Sequence, residues 1–560
     1  MRKILIILLV TLCCGMSMQA QDSTFNRVVT VERDYQPDIE QATKIKIRPV
    51  IVTEEVEPNP VVYSTYSTPL SVEYNLHPLQ AAKASFTPQS TLNGVIEGAV
   101  GHRNSHLLFG YRINHKKKMS LDLYANHDAY WGKDALSSSK LGFQIARLFG
   151  NADFYFGMQG DNEFYTYYGK YFDGPGKGIN IPTGTTVDYN NLWGINANIG
   201  LKSTYKQPMQ YKFQVSYRTF IIPEQTVEHQ IKTHLNLNWT TQEHGGGINI
   251  DVQNMLYNII TKSDTILHRH ALRVEPYYEF KHNSIRLHAG VNIDMNIGTG
   301  TLLSTIENLA FAPSPNVAFE WNMMDNIFHL YANAKGQFDI GSIEEYLDYN
   351  RYLNIEQNIS FEGYRAYTPV DAQLGFKIRP IKTMLIDIYG GYAYMLNACH
   401  MIADVDPSNQ FAAKDFSLQV ADYQRWKVGA SLHYHYRDII ELNAAGNYYV
   451  WNAEKDMTVY DRPSWDAHAR LDVHIDSKWS VYSENQFVGS RWAYVMKYPD
   501  GASAEKLRPT ISLNIGGQYS VNNWLHVYLQ LNNYLNRKND IFYGYQSQGC
   551  HFLLGVKYKF

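Results

Sequence analysis

The residues whose types and spacing could do chemistry are histidines and their charged neighbours. His433 and His435 stand two apart, as do Arg286 and His288, and Asp294 follows His288 by an even number of positions. His468, Arg470 and His474 likewise fall on alternate positions of one stretch. Neutral imidazole is the commonest metal ligand and titrates near neutrality, so such a set could hold a metal, line a haem path or relay protons. No carboxylate–histidine spacing specific to a metal accompanies it. A wall facing water needs polar side chains of middling size in any case. The expectation is therefore no catalytic residue, no cofactor and no metal. Arg286, His288, Asp294, His433, His435, His468, Arg470 and His474 are instead candidate lumen-facing residues of a wet inner surface. The glycine-rich run Gly174 to Gly178 lacks the strand-to-helix setting that a phosphate cradle requires, and neither His-Glu-x-x-His nor Gly-x-Ser-x-Gly occurs. The chain does not read as an enzyme.

The elements that must position these residues are strands. In a strand, alternate side chains point to opposite faces. Ile285, Leu287, Ala289, Val291, Ile293, Met295 and Ile297 share one face, and Arg286, His288, Asn292, Asp294 and Asn296 the other. Trp193 to Leu201, Tyr211 to Tyr217, Trp426 to Tyr436, Trp465 to Ile475 and Leu525 to Leu531 repeat the pattern. Many of these runs are longer than the ~5–6 residues usual in globular sheets and long enough for a tilted membrane span. Their connections alternate. Short turns lie at 114–118, 149–151, 206–208, 281–284, 324–326, 379–382, 437–438, 476–478 and 521–523. Longer loops are expected near 169–189, 298–315, 339–363, 397–421, 452–463 and 496–506. That alternation distinguishes a transmembrane barrel from a soluble sandwich. Counting it out gives an all-β fold: a transmembrane antiparallel β-barrel of about 22 strands over 91–560, starting near Leu92. The even count puts both ends of the barrel on one side, expected to be periplasmic. Within one loop, Ile343 to Leu353 could form a short helix, with Ile343, Tyr346, Leu347 and Leu353 near one side, either as an inward lid or as a surface for glycan or a partner.

Composition agrees. The chain has 43 Tyr, 24 Phe and 10 Trp, suited to aromatic girdles at two membrane interfaces. No basic block suggests nucleic acid. Arg2 and Lys3 precede an apolar run from Ile4 to Cys14, too short to span as a helix, so residues 1–20 read as a secretory signal peptide. Cys13 and Cys14 lack the small preceding residue of a lipobox. Cys399 and Cys550 remain afterwards, too few for a disulfide framework. Residues 21–90 carry Pro37, Pro49, Pro58, Pro60, Pro69, Pro78 and Pro88 and read as a periplasmic or lumen-threading arm.

The last strand resembles the closing strand of bacterial outer-membrane β-barrels. Phe552, Leu554, Val556, Tyr558 and Phe560 form one apolar face ending on an aromatic residue, which in that family is the insertion signal read by the barrel-assembly machinery. The size of the barrel, together with the stretches Phe25 to Glu40 and Pro60 to Leu70, resembles Bacteroidetes-type outer-membrane barrels grouped with TonB-dependent receptors. The resemblance covers roughly 92–560 at the level of architecture. It implies a receptor-like transporter or channel for solute uptake in the cell outer membrane of a Gram-negative bacterium, with outer-membrane lipid as its surroundings. Val28 to Val31 resembles a TonB box, making TonB a candidate partner. The chain departs from the family in having a short proline-rich arm where a conventional globular plug would stand. The alternative is a non-conducting outer-membrane scaffold or assembly partner that binds periplasmic proteins or a surface lipoprotein. Either way, the protein should fractionate with outer membranes and show a heat-modifiable gel shift; a soluble periplasmic pool would overturn the membrane assignment.

Overall fold

The computed structural model describes residues 93–560 apart from 116–118, 176, 205–207, 260–264, 299–310, 325–326, 356–364, 455–456 and 498–500. The signal peptide expected over 1–20, the arm over 21–90 and the Val28–Val31 motif lie outside the described residues.

Twenty-two strands form one closed antiparallel ring, from Gly94–Val100 to His551–Lys559. The ring closes where Val95–Val100 pairs with Leu554–Lys559. At its end the Gly94 N–H donates to the Phe560 carbonyl (2.7 Å) and the Phe560 N–H to the Gly94 carbonyl (3.0 Å). Both ends of the ring therefore sit at the rim that carries the short turns. No helix among the described residues is long and apolar enough to cross a membrane. The crossing is made by strands, whose backbone groups are satisfied by their neighbours.

The two faces separate as alternation requires. On Ile285–Gly298, Leu287, Val291 and Met295 are exposed outward, whereas His288, Asn292, Asp294 and Asn296 are buried on the inner face. The outward row of the last strand, Phe552, Leu554, Val556, Tyr558 and Phe560, is between 37% and 55% exposed. Trp239, Trp321, Trp479 and Trp524 are exposed beside the short turns of one rim, and Trp131, Tyr189 and Trp465 at the opposite rim. These are the two girdles of a membrane barrel.

Two expected loops are strand instead. Met384–Val405 and Ala413–Tyr436 run for 22 and 24 residues, so the loop expected over 397–421 shrinks to the tip 406–412. A tilted span needs about 9–11 residues, so both continue well past the membrane. A bulge conceals them in the sequence. The register shifts between Met395 and Ala398, and Asn397 sits at φ 54°. One extra residue reverses the phase of alternation. The loop expected at 496–506 is a hairpin, Arg491–Lys497 with Gly501–Leu507, which lies parallel to Ile402–Asp404 outside the ring.

Inside the ring, one joint recurs. Tyr124, Tyr155, Tyr331, Tyr389, Tyr482 and Tyr528 each lie directly across from a glycine of the next strand: Gly142, Gly200, Gly375, Gly429, Gly516 and Gly555. Each ring covers its glycine so closely that a Cβ there would fall 2.2–2.6 Å from ring atoms. A flat ring over a bare backbone stiffens a wall too wide for side chains to meet across it. Gly200→Ala should cost about 1–3 kcal/mol by overpacking, read as a lower urea midpoint. Adding Tyr155→Ala should relieve the clash, so the double variant should lose less than the sum of the two.

Candidate functional site

The segment between Phe328–Ile340 and Arg365–Ile381 turns inward and forms the helix α1, Ile343–Tyr349. Its start is fixed by a capping box: Ser342 Oγ accepts from the Glu345 N–H (3.1 Å), and Glu345 Oε2 accepts from the Ser342 N–H (3.0 Å). The next free donor, the Ile343 N–H, is met by Glu228 Oε2 of the barrel wall at 2.6 Å. Ile343, Leu347 and Leu353 are buried on one side. Beyond the helix, the Asn354 N–H donates to the Phe416 carbonyl and the Phe416 N–H to the Tyr352 carbonyl. The segment is thus stitched to an inner strand edge.

Three loops meet on it. Tyr352 stacks on Tyr545 at 3.6 Å between centroids and meets Tyr165 and Tyr168 edge-on at 5.7 and 6.1 Å. The Tyr168 hydroxyl donates to the Gln546 carbonyl (2.7 Å). Tyr165, Phe172, Phe220, Ile222, Met255, Tyr257, Phe338, Met401, Val405, Phe416 and Val495 continue the same buried cluster. Aromatic pairs each contribute about 0.5–1.5 kcal/mol beyond burial. The long-loop end therefore carries a packed apolar cap.

Beneath this cap lies a cavity of 1170 Å³ along the inner wall, lined from Asn104 round to Lys232 and roofed by Glu344, Leu347, Asp348 and Arg351. Its charges are mostly paired. Arg218 bridges wall to roof, donating to Asp161 at 2.5 and 2.8 Å and to Glu344 at 2.5 and 3.0 Å. Arg112 holds Asp122 at 2.5 and 2.8 Å, Arg351 reaches Glu163 at 2.8 Å, and Lys232 reaches Glu345 at 3.5 Å. His106 Nδ1 lies 2.6 Å from Asp128. Between these pairs stand amides, among them Asn126, Gln144, Gln159 and Asn196. The surface suits a hydrophilic solute and offers no nucleophile–base pair. Among the described residues, no group of three or more His, Cys, Asp or Glu side chains is placed to hold a metal.

The eight residues singled out from the sequence lie on other parts of the wall; none lines this cavity. His288 is buried between Glu275 (3.5 Å) and Glu279 (3.4 Å), stacked on Tyr277, with Arg286 4.0 Å from Glu279. Asp294 accepts from Arg273 at 2.6 Å. His433 Nδ1 meets Asn443 at 2.5 Å, and His433, His435, His468 and His474 are exposed. Arg470 pairs with Asp472 at 2.8 and 2.9 Å and lies over the Tyr482 ring. The set is divided between two regions and is not gathered into one site. Sequence reasoning missed Lys140, Arg218, Glu344, Asp348 and Arg351. One signal was there to read: Ser342-Ile-Glu-Glu345 is a capping box, and it opens a helix whose acidic residues must find cations inside the barrel.

Asp348 gives the roof a pH dependence. Water reaches its carboxylate within the cavity, but removal from bulk solvent, then the nearby charges of Glu344 and Glu163, push its pKa up to about 7; Lys140 and Arg351 oppose this. A carboxyl raised on docking favours the docked roof fully below its undocked value of 3.8 and loses that contribution as pH rises through about 7. The protection of residues 343–353 against hydrogen exchange, taken relative to the intrinsic exchange rate at each pH, should accordingly fall between about pH 4 and 7, and Asp348→Asn should flatten the change.

No family model and no curated protein sequence matches this chain. Solved structures do match its fold. A mutant of the ferric enterobactin receptor from Pseudomonas aeruginosa, in complex with enterobactin, is 10% identical, with 84% of this chain and 81% of that chain covered at a TM-score of 0.63. The ferripyoverdine receptor of the outer membrane of Pseudomonas aeruginosa, bound to ferripyoverdine, is 10% identical, with 85% and 72% covered at 0.62. The copper transporter OprC is 10% identical, with 84% and 80% covered at 0.62. At such identity the likeness concerns the fold: this chain has the large barrel architecture of outer-membrane receptors and transporters.

Proposed function

We propose that this protein is an outer-membrane barrel for solute uptake, in which a hydrophilic path along the inner wall is closed by the cap. The observation that carries this reading is the cavity itself. It is rich in charged and amide side chains, its charges mostly paired, and lies beneath the apolar cluster in which three loops meet. A solute path needs a wet wall and a closure that can be released, and both are built from residues of this chain. The likeness in fold to receptors named for ferripyoverdine and enterobactin, and to a copper transporter, supports uptake over the many other uses of a barrel. In this reading the short-turn rim is periplasmic, the long-loop end faces outward, and residues 21–90 form an arm in place of a conventional plug. TonB would engage through Val28 to Val31. The barrel-assembly machinery would read the row ending at Phe560.

The packed cap favours a second reading, a closed scaffold that docks periplasmic proteins or a surface lipoprotein. Single-channel conductance in planar bilayers separates the two. The mature chain should be closed or nearly so. Tyr352→Ala with Leu353→Ala, which loosens the cap, or removal of residues 21–90, should open it. If none of these forms conducts while each keeps its heat-modifiable shift, the uptake reading fails and the scaffold stands.

A further inference from the structure

The lipid-facing wall carries a polar pair where hydrocarbon is expected. On Trp479–Val488 the outward row is Trp479, Val481, Ser483, Asn485 and Phe487, because Tyr482 and Glu484 face inward, one over Gly516 and the other 3.5 Å from Arg470. The strand runs from girdle to girdle. Trp479 is exposed at the short-turn rim, and at the other end the Gly489 N–H donates to the Trp465 carbonyl (2.8 Å). Ser483 and Asn485 therefore lie within the apolar band of the bilayer, where outward positions on other strands hold Leu287, Val291, Leu529, Leu554 and Val556. A carboxamide has two N–H donors and an oxygen with two lone pairs. Ser483 Oγ takes one Asn485 N–H at 3.1 Å and lies 3.5 Å from the amide oxygen. Directly across the two ladders stand Ala469 and Leu513, which offer carbon only. At least one N–H and one lone pair of Asn485 thus face lipid tails, which cannot meet them.

The surface around Asn485 is lopsided. On one side Ala469, Ala467, Ala444, Gly446 and Ala430 make a shallow step across three strands. On the other rise Ile511, Leu513 and Ile515. The wall's own packing does not require this bareness. A Cβ on Gly446 would stand 3.6 Å from Ala467 Cβ and from the Asp466 carbonyl oxygen, an ordinary contact, unlike the glycines beneath the tyrosine rings. Both features fit a second copy of this chain. A two-fold axis along the membrane normal through Asn485 sets amide against amide, and a carboxamide is its own complement, N–H to oxygen in both directions. The same axis lays the Ile511, Leu513 and Ile515 ridge of each copy on the alanine step of the other.

We propose that this protein pairs in the membrane with a second copy of itself, through the wall centred on Asn485. Pairing does not rest on the uptake reading, and either result of the conductance experiment leaves it standing. Ser483→Cys, treated in isolated outer membranes with a short bis-maleimide, should give a cross-linked pair of this chain. The unaltered chain, with only Cys399 and Cys550 beyond the leader, should not, nor should Ile231→Cys, which faces outward on Thr226–Thr240, halfway round the ring. Sedimentation of the full chain in mild detergent should show a monomer–dimer equilibrium. Asn485→Leu removes the amide and suits lipid, and Gly446→Leu fills the step. Each should raise the dissociation constant at least about threefold, the usual effect of losing a polar contact within a membrane, while the heat-modifiable shift is kept. A single-chain mass without cross-linking would overturn the proposal. So would equal cross-linking through Ile231→Cys, pairing unmoved by both leucine variants, or capture of a different protein in place of this chain at Ser483→Cys.

Discussion

Within a bilayer no water is available to a backbone N–H or carbonyl, so a strand there survives only if both of its edges are paired. Everything else in this protein depends on the one pairing that local sequence cannot supply, between Gly94–Val100 and His551–Lys559. All other neighbours in the ring are successive barrel strands. Six residue pairs, Val95 to Val100 against Leu554 to Lys559, convert an open sheet with two unpaired edges into a wall with none. Side chains reinforce the seam from within: Lys557 lies 3.2 Å from Glu97, and the Tyr528 ring covers Gly555.

Closure at this circumference creates a second demand. Side chains cannot fill a ring of 22 strands, so its interior must be stiffened without a core. The wall is braced locally by tyrosines lying over cross-strand glycines and by ion pairs between neighbouring strands, such as Arg112 with Asp122 and Arg273 with Asp294. Among the described residues the large apolar core is built at the long-loop end, because there the strands outrun the membrane and three loops can reach one another. The polar cavity and the apolar cap are thus consequences of the same width, expressed at two depths.

Much of this was legible in the sequence. The parity of Ile285 to Ile297 fixes which residues face outward, and the alternation of short and long connections yields both the strand number and the common rim of the two ends. What escaped did so for identifiable reasons. Asn397 adds one residue to its strand and reverses the parity, so a long strand read as a loop. The helix α1 was visible as a pattern, but its inward seat depends on Glu228, which is 115 positions away. The candidate histidines drew attention by residue type, yet type says nothing about enclosure. The cavity network was out of reach for the same reason. Arg218 joins Asp161, 57 positions away, to Glu344, 126 positions away, and no local spacing records such a meeting.

The aromatic cap also sets an order of events. Its rings come from Tyr165 and Tyr168 early in the chain, Tyr352 in the middle and Tyr545 just before the last strand. Contacts so distant along the chain form late, because the loop between them must be closed first. Tyr545 reaches Tyr352 only when the final hairpin has joined the ring. A barrel still being assembled therefore has an unsealed mouth, and the lid becomes a record that the last strand has found the first.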